Sequence, residues 1–215
     1  MASASTLQDI LTVLEAKWEA GTRPADLYAT FIAARPGDYV PALLAGLAGK
    51  DKRVKGGCAE ILSRVSEDHP DVVYPHVDLF LKNLGAKEPI LRWEAVCTVG
   101  NLAGVDARKA IAPHVPAMVS LLADKSIVLQ GHAVRALAKV AVANPKVAPA
   151  ILGALIDSVE HFAGSRVGYV VEAMESFAAM KGLGGRVRAF LGPYCDSEHA
   201  PVAKKARKAM KKAGK

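Results

Sequence analysis

The stretch YPHVDLFLKNLGA at residues 74–86 recurs in outline as APHVPAMVSLLAD at residues 112–124, 38 positions later and without a gap. The Pro-His-Val triplet of the first stretch falls on the triplet of the second, and Leu84 falls on Leu122. Self-similarity at a fixed period of this length is the signature of a repeat protein. The sequence therefore predicts a stack of similar units.

Three further segments extend the repeat: KGGCAEILSRVS at 55–66, RWEAVCTVGNLA at 92–103 and QGHAVRALAKVA at 130–141. Apolar residues in each recur at i, i+3 or i+4, and i+7, which is the pattern of an amphipathic helix. Residues 169–180 and 202–213 continue the series. Another amphipathic segment precedes each of the five, and Asp38 and Asp71 are predicted to cap two of these preceding helices.

A repeated helix pair of about 37 residues cannot bury its apolar face alone, so such pairs stack into an α-solenoid. The order of Pro116, Leu121-Leu122, the turn residue Asp124 and the small residue Ala133 resembles a HEAT repeat. This resemblance implies an all-α, right-handed superhelix of about five HEAT-like helix pairs, including an irregular N-terminal pair. In earlier repeats Gly49 and Ala86 replace the turn Asp that is usual in the family.

We expect one continuous solenoid domain with three parts: an N-terminal helical cap at 1–37, HEAT-like repeats at 38–200, and a basic C-terminal helix or tail at 201–215. The first part opens with a Ser5-x-x-Gln8 capping box. Its helical face consists of Leu7, Ile10, Leu11, Leu14 and Trp18. The alternative for this part is a small arm that docks elsewhere.

The net charge of +7 is concentrated at the C-terminus. Residues 201–215 hold seven Lys or Arg and no acid, whereas the other residues balance to zero. The candidate basic residues are Lys204, Lys205, Arg207, Lys208, Lys211 and Lys212. A thin apolar stripe also runs through this segment: Val202, Ala206, Ala209, Met210 and Ala213. The segment is interpreted either as the second helix of the last repeat or as an element that binds nucleic acid or an acidic partner.

Composition argues against a membrane protein. No apolar run of about 18 residues occurs, and residues 1–6 show no signal-peptide pattern. Three widely spaced cysteines, Cys58, Cys97 and Cys195, are typical of a reducing compartment. We expect a cytoplasmic protein.

The sequence offers little evidence of catalysis, of a metal site or of a small-molecule cofactor. Cys195 and His199 lack the second ligand pair that zinc requires. The stretch RWEAVC at 92–97 is similar in outline to the Trp-Asp-x-Val-Asp motif of HEAT-like DNA glycosylases, but Cys97 replaces the catalytic Asp of that family. The alternative for Trp93 is packing, because its counterparts in neighbouring repeats are Gly56 and Gly131.

The second helices of the pairs are expected to line a concave face. Their exposed positions form three ladders: Gly57, Glu94, His132; Glu60, Cys97, Arg135; and Arg64, Asn101, Lys139. The candidate binding residues are Arg64, Trp93, Glu94, Asn101, His132, Arg135 and Lys139, although ordinary solvated positions would show the same pattern.

The resemblance to HEAT solenoids implies a non-enzymatic scaffold that recognises a protein partner on this face. The alternative is nucleic-acid binding through the basic C-terminus and a groove of Arg64, Arg135 and Lys139. Glycosylase activity around Trp93 is a third and more distant hypothesis.

Overall fold

The computed structural model describes residues 21–213, together with Thr12 and Ala16, which are helical. The predicted capping box and the apolar face from Leu7 to Trp18 lie outside the described residues. The first helix described in full is α1, Pro24–Leu27, which continues into a π-helical turn at Tyr28–Ile32. Leu27 and Ile32 of this segment are fully buried.

The chain forms two compact units, and the first extends to Asp106. Its first helix pair consists of α2, Pro36–Ala48, and α3, Lys52–Asp68. In its second pair, the first helix is divided into α4, Pro70–Val73, and α5, Val77–Asn83, by a 3-10 turn at Tyr74–His76, and the second helix is α6, Pro89–Leu102. The second helices α3 and α6 pack directly on each other.

The second unit begins at Ala107 and contains three helix pairs. The first is α7, Val115–Ser120, flanked by 3-10 turns and followed by α8, Ile127–Ala143. The next two are α9, Ala148–Asp157, with α10, Gly168–Phe177, and α11, Gly184–Leu191, with α12, Ala200–Ala213. The second helices α8, α10 and α12 pack in that order, with α10 in the middle.

Proline determines where several helices begin. Pro36, Pro70 and Pro89 occupy the first position of α2, α4 and α6, where the fixed φ of proline suits the helix and its missing N–H costs nothing. The prediction that Asp38 and Asp71 are N-caps is therefore wrong, since both lie inside the first turn. In the first turn, both carboxylates still interact favourably with the positive end of the helix dipole.

Side-chain caps occur instead at the turns between paired helices. Asp51 accepts hydrogen bonds from the backbone N–H groups of Arg53 and Val54 and so caps α3. Ser126 caps α8 through the N–H of Leu129, and Asp124 accepts from the N–H of Ser126 at 2.8 Å. A carboxylate is thus present in the turn before α3 as well as in the turn before α8. Before α3 it is Asp51, two positions after Gly49, which the repeat alignment places at the position of the turn Asp.

The repeat register is visible in the core. Leu62, Val99, Leu137 and Met174 occupy matching positions of α3, α6, α8 and α10, and all four are fully buried. Burial of each such side chain stabilises the fold by roughly 1.5–3 kcal/mol. The all-α prediction is confirmed, because every regular element in residues 21–213 is helical. No helix in this part of the chain is both long and apolar enough to cross a membrane.

Candidate functional site

The seven predicted binding residues all lie on second helices. Arg64 is on α3 of the first unit, and Trp93, Glu94 and Asn101 are on α6 of the same unit. The remaining three, His132, Arg135 and Lys139, are on α8 of the second unit. Arg64, Arg135 and Lys139 are exposed, whereas the other four are half-buried.

Asn101 joins α6 to α3. Its Nδ2 donates to the carbonyl oxygen of Ser63 at 3.2 Å and to the hydroxyl of Ser66 at 3.0 Å. The Ser66 hydroxyl in turn donates to the Ser63 carbonyl at 2.6 Å. Both serines are buried, so these bonds satisfy groups that would otherwise be costly to bury. The amide of Asn101 is therefore part of the scaffold.

Trp93 and Glu94 also contact each other. The indole Nε1 of Trp93 donates to Oε1 of Glu94 at 2.8 Å. Burial raises the pKa of Glu94, and hydrogen bonds from Trp93 and Ser63 oppose this shift. Because burial dominates, the surroundings of Glu94 disfavour its charge.

A cleft of about 350 Å³ in the first unit contains Trp93 together with Ile90, Gly56 and Glu60. A Cβ on Gly56 would lie 3.5 Å from Ile90, so it is Ile90 rather than Trp93 that packs directly on this glycine. The carboxylate that lines the cleft beside Trp93 belongs to Glu60, and Glu94 is not among the lining residues. Cys97, which replaces the catalytic Asp of the glycosylase motif, is half-buried on α6.

The central part of α8 in the second unit presents a single line of side chains to solvent. Between Leu129 and Ala141, only His132, Arg135 and Lys139 are not buried. Val128, with 49% of its surface exposed, and Val142, with 56%, extend the line at its two ends. The spacing of four, three, four and three residues places all five on one face of the helix. We call these five residues the α8 stripe.

Tyr169 of α10 lies beside the centre of the α8 stripe. Its ring packs on Gly131, where an added Cβ would be 3.4–3.5 Å from the ring atoms. One turn further along α8, the guanidinium carbon of Arg135 lies 5.3 Å from the centroid of the same ring. A cation over an aromatic face at this distance is attracted by about 0.5–1 kcal/mol at an exposed site. Burial, together with the charge of Arg135, lowers the pKa of His132.

Tyr169 is not among the binding residues predicted from the sequence, although the sequence contains a signal for it. Gly168 matches Gly131 in the repeat register, and Tyr169 follows it just as His132 follows Gly131. A glycine on one second helix predicts a large side chain from the next second helix against it. This holds twice more, because Gly56 meets Ile90, and Gly168 meets Val202.

The basic C-terminal segment forms α12, the second helix of the last described pair. It packs on α10 and α11 and buries five small side chains: Val202, Ala203, Ala206, Ala209 and Ala213. Four of these were predicted, whereas the predicted Met210 is only half-buried.

Four of the predicted cations on α12 form ion pairs with acidic residues of the second unit. Lys205 binds Glu172 at 2.7 Å, Lys208 binds Glu175 at 2.9 Å, and Lys212 also binds Glu175. Arg207 lies 3.4 Å from Asp196. Lys204 and Lys211 remain exposed, and together with Arg207 and Lys208 they line an open cleft of about 560 Å³. Much of the local positive charge is therefore balanced within the fold.

The described residues offer no evident metal-binding site, since no group of three or more His, Cys, Asp or Glu side chains in residues 21–213 could hold an ion. The polar groups that the structure does bring together, Arg135, Tyr169 and their neighbours on α8, are suited to recognition by contact and charge.

No protein-family model matches the sequence, and a search of curated proteins finds no match. Solved structures do match. A crystal structure of an engineered protein is 21% identical, with 97% of this chain and 96% of that chain covered and a TM-score of 0.73.

Two other solved structures are also similar to this chain. A designed armadillo repeat protein in complex with the peptide (KR)4 is 17% identical, with 96% and 91% of the two chains covered and a TM-score of 0.69. Kap121p is 13% identical with a TM-score of 0.66 over 88% of this chain, which spans 20% of Kap121p. Identities this low show the fold alone. The prediction of HEAT-like repeats is confirmed, and the chain has the fold of HEAT and armadillo solenoids.

Proposed function

We propose that this protein is a non-enzymatic binding module that recognises a segment of a partner protein on the second helices of its second unit, with the α8 stripe as the main contact surface. The observation that carries the proposal is the exposure of this stripe. It presents cations in the middle and valines at both ends, in a helix whose other central positions are all buried. The compartment that we propose is the cytoplasm, where cysteine thiols stay reduced.

The composition of the stripe favours a protein partner. A single exposed valine needs no explanation, but Val128 and Val142 flank Arg135 and Lys139 on one face. Arginine and aromatic residues such as Arg135 and Tyr169 are enriched among the residues that dominate binding at protein interfaces. The similar designed armadillo protein is described in complex with a peptide, which supports peptide recognition as a use of this fold.

The proposal is tested by selecting peptides from a random 16-residue display library on the full chain. Enriched peptides are synthesised and their affinities measured by fluorescence anisotropy for the wild type, for Val128→Asp/Val142→Asp and for Tyr169→Ala. We expect a loss of at least tenfold in both variants. Lys146→Glu, an exposed substitution in the turn after α8, is the control and should bind as the wild type does. No enrichment, or equal binding by all variants, would contradict the proposal.

Nucleic-acid binding through α12 is a second candidate, and one observation favours it. Lys204, Arg207, Lys208 and Lys211 converge on one open cleft. The internal ion pairs of Arg207 and Lys208 leave Lys204 and Lys211 as the residues best placed to contact phosphates. Removal of α12 would expose the core of the last repeat, so point variants are the better probe.

The test compares the wild type with Lys204→Glu/Lys211→Glu for binding to a 20-base-pair DNA duplex at two salt concentrations. If α12 contacts phosphates, log Kd depends linearly on log salt concentration, and the variant lowers the slope by about 0.9 per lost contact. Folding of the variant is checked by circular dichroism. Equal affinities and slopes for the two proteins would exclude the α12 cleft as the nucleic-acid site.

A further inference from the structure

We infer that the segment bound by the α8 stripe is an amphipathic helix, with acidic residues at the centre of its contact face and apolar residues at both ends. This inference rests on the proposed function and adds the conformation and the charge pattern of the partner. Three features of the second unit support it: the spacing of the residues in the stripe, the fixed position and positive charge of Arg135, and the placement of the two valines at the ends.

The spacing of the stripe fits a helix lying along it. Residues 128, 132, 135, 139 and 142 alternate steps of four and three, which is the spacing of the contact seam in helix pairs that pack side by side. The line from Val128 to Val142 covers 14 steps, or about 21 Å of helix axis at 1.5 Å per residue. A partner helix of about four turns would cover it fully.

The centre of the stripe is preorganised to bind a carboxylate. Arg135 is exposed, and its guanidinium lies over the ring of Tyr169. Because the ring itself is packed on Gly131, the guanidinium is held in place before any partner arrives, and this reduces the entropy lost on binding. A guanidinium presents paired N–H donors that match the two oxygens of a carboxylate.

The acids of α10, the helix that carries Tyr169, do not compensate this charge. Glu172 and Glu175, the acids of α10, form their ion pairs with lysines of α12. Arg135 forms no ion pair with any acid in residues 21–213. Lys139, one turn beyond Arg135 and exposed, adds a second positive charge on the same face. The centre of the stripe is therefore positive and attracts an acidic partner.

The ends of the stripe favour a protein helix over a phosphate backbone. Val128 and Val142 expose about half of their surface, and covering them stabilises a complex only if the partner brings apolar side chains. A nucleic-acid backbone is charged along its whole length and would place phosphates there. A helix with apolar ends and an acidic centre satisfies both parts of the stripe.

The test is a charge-swap selection with the random 16-residue library, performed on the wild type, on Arg135→Glu/Lys139→Glu and on Lys146→Glu. Both positions are exposed, so the swap leaves the core intact, and circular dichroism confirms the helix content of each protein. For the wild type and for Lys146→Glu we expect peptides with Asp or Glu at central positions three or four residues apart and apolar residues near both ends. For the double variant, Lys or Arg should replace the central acids. Selected wild-type peptides should lose at least tenfold in affinity for the double variant.

The outcomes separate this inference from the proposed function. Peptides that bind at the stripe but are basic, rich in proline, or unchanged by the charge swap would overturn the inference and leave the proposed function intact. An absence of peptides whose binding depends on Val128, Val142 or Tyr169 would overturn both. A DNA duplex that binds through Arg135 and Lys139, yet is indifferent to Val128→Asp/Val142→Asp, would identify the stripe as a phosphate site and overturn the inference.

Discussion

Helices α6 and α8 occupy equivalent places in successive repeats but use their polar residues in opposite ways. On α6, Asn101 donates hydrogen bonds to Ser63 and Ser66, and Trp93 donates one to Glu94. No residue from Leu91 to Leu102 is exposed. On α8, the position equivalent to Asn101 is Lys139, which is exposed like its neighbour Arg135. The same repeat template thus yields a helix with no exposed central residue in one unit and a helix with an exposed stripe in the other.

The acids of the two units differ in the same way. Burial raises the pKa of Glu94 in the first unit, whereas Lys212 and Lys208 lower the pKa of Glu175 in the second. Glu94 thus lies in a poorly solvated setting, whereas Glu175 is held by ion pairs with lysines of α12. Four predictions test these contrasts, in order of expected effect.

The largest effect is expected for Gly131→Leu. The first added carbon would already lie 3.4 Å from the Tyr169 ring, so a leucine must displace the ring and remove the platform under Arg135. We expect a loss of about 1–3 kcal/mol in the free energy of unfolding, measured by urea denaturation. Gly185→Leu on α11 is the matched control, because nothing lies within 4 Å of its added carbon. A tolerated Gly131→Leu would show that α8 and α10 do not require this close approach.

The next largest effect is the difference in stability loss between Asn101→Ala and Lys139→Ala. Asn101→Ala leaves the buried Ser63 carbonyl and Ser66 hydroxyl without the amide donor, and we expect a loss of about 1–2 kcal/mol. Lys139→Ala, at the equivalent position of α8, should change the free energy of unfolding by less than about 0.5 kcal/mol. Urea denaturation of both variants measures the contrast. Equal losses would mean that Lys139 is as much a part of the scaffold as Asn101.

A smaller effect is expected for Glu175→Gln, and it should depend on pH. Because the folded-state pKa of Glu175 is lowered, its contribution is complete above its unfolded pKa of about 4.3 and disappears as pH falls through the folded pKa. At pH 7 we expect the variant to be less stable by about 0.5–1 kcal/mol, the upper range for surface pairs. Denaturation curves at pH 7 and near pH 3 should differ from those of the wild type only at pH 7.

The smallest effect is expected for Glu94→Gln, with the opposite sign. Since the folded-state pKa of Glu94 is raised, ionisation opposes folding as pH rises from the unfolded pKa through the folded pKa. The variant lacks this opposition, so its stability relative to the wild type should improve between pH 4 and pH 7. The same denaturation series measures it, with Glu175→Gln as the reference of opposite slope. A decline in relative stability with rising pH would contradict the assignment of burial as the dominant cause.

The sequence by itself determined the repeat period, the helix pairs and the core positions. Leu62, Val99, Leu137 and Met174 are buried as the alignment predicts, because an apolar stripe at helical spacing has to be covered whatever the neighbours are. The first residue of a helix was harder to predict from the sequence. Asp38 and Asp71 were expected to cap two helices, but these helices begin earlier, at Pro36 and Pro70.

Only the tertiary structure decided which polar positions are exposed. Asn101 and Lys139 share one ladder, yet one contacts buried serines of the preceding helix and the other faces solvent. Likewise, the ion pairs of the α12 lysines and the placement of Arg135 over Tyr169 depend on side chains 33 to 37 positions apart in sequence. A repeat pattern specifies which face of a helix points inward. Which polar groups meet across two helices depends on distances that exist only once the repeats have packed.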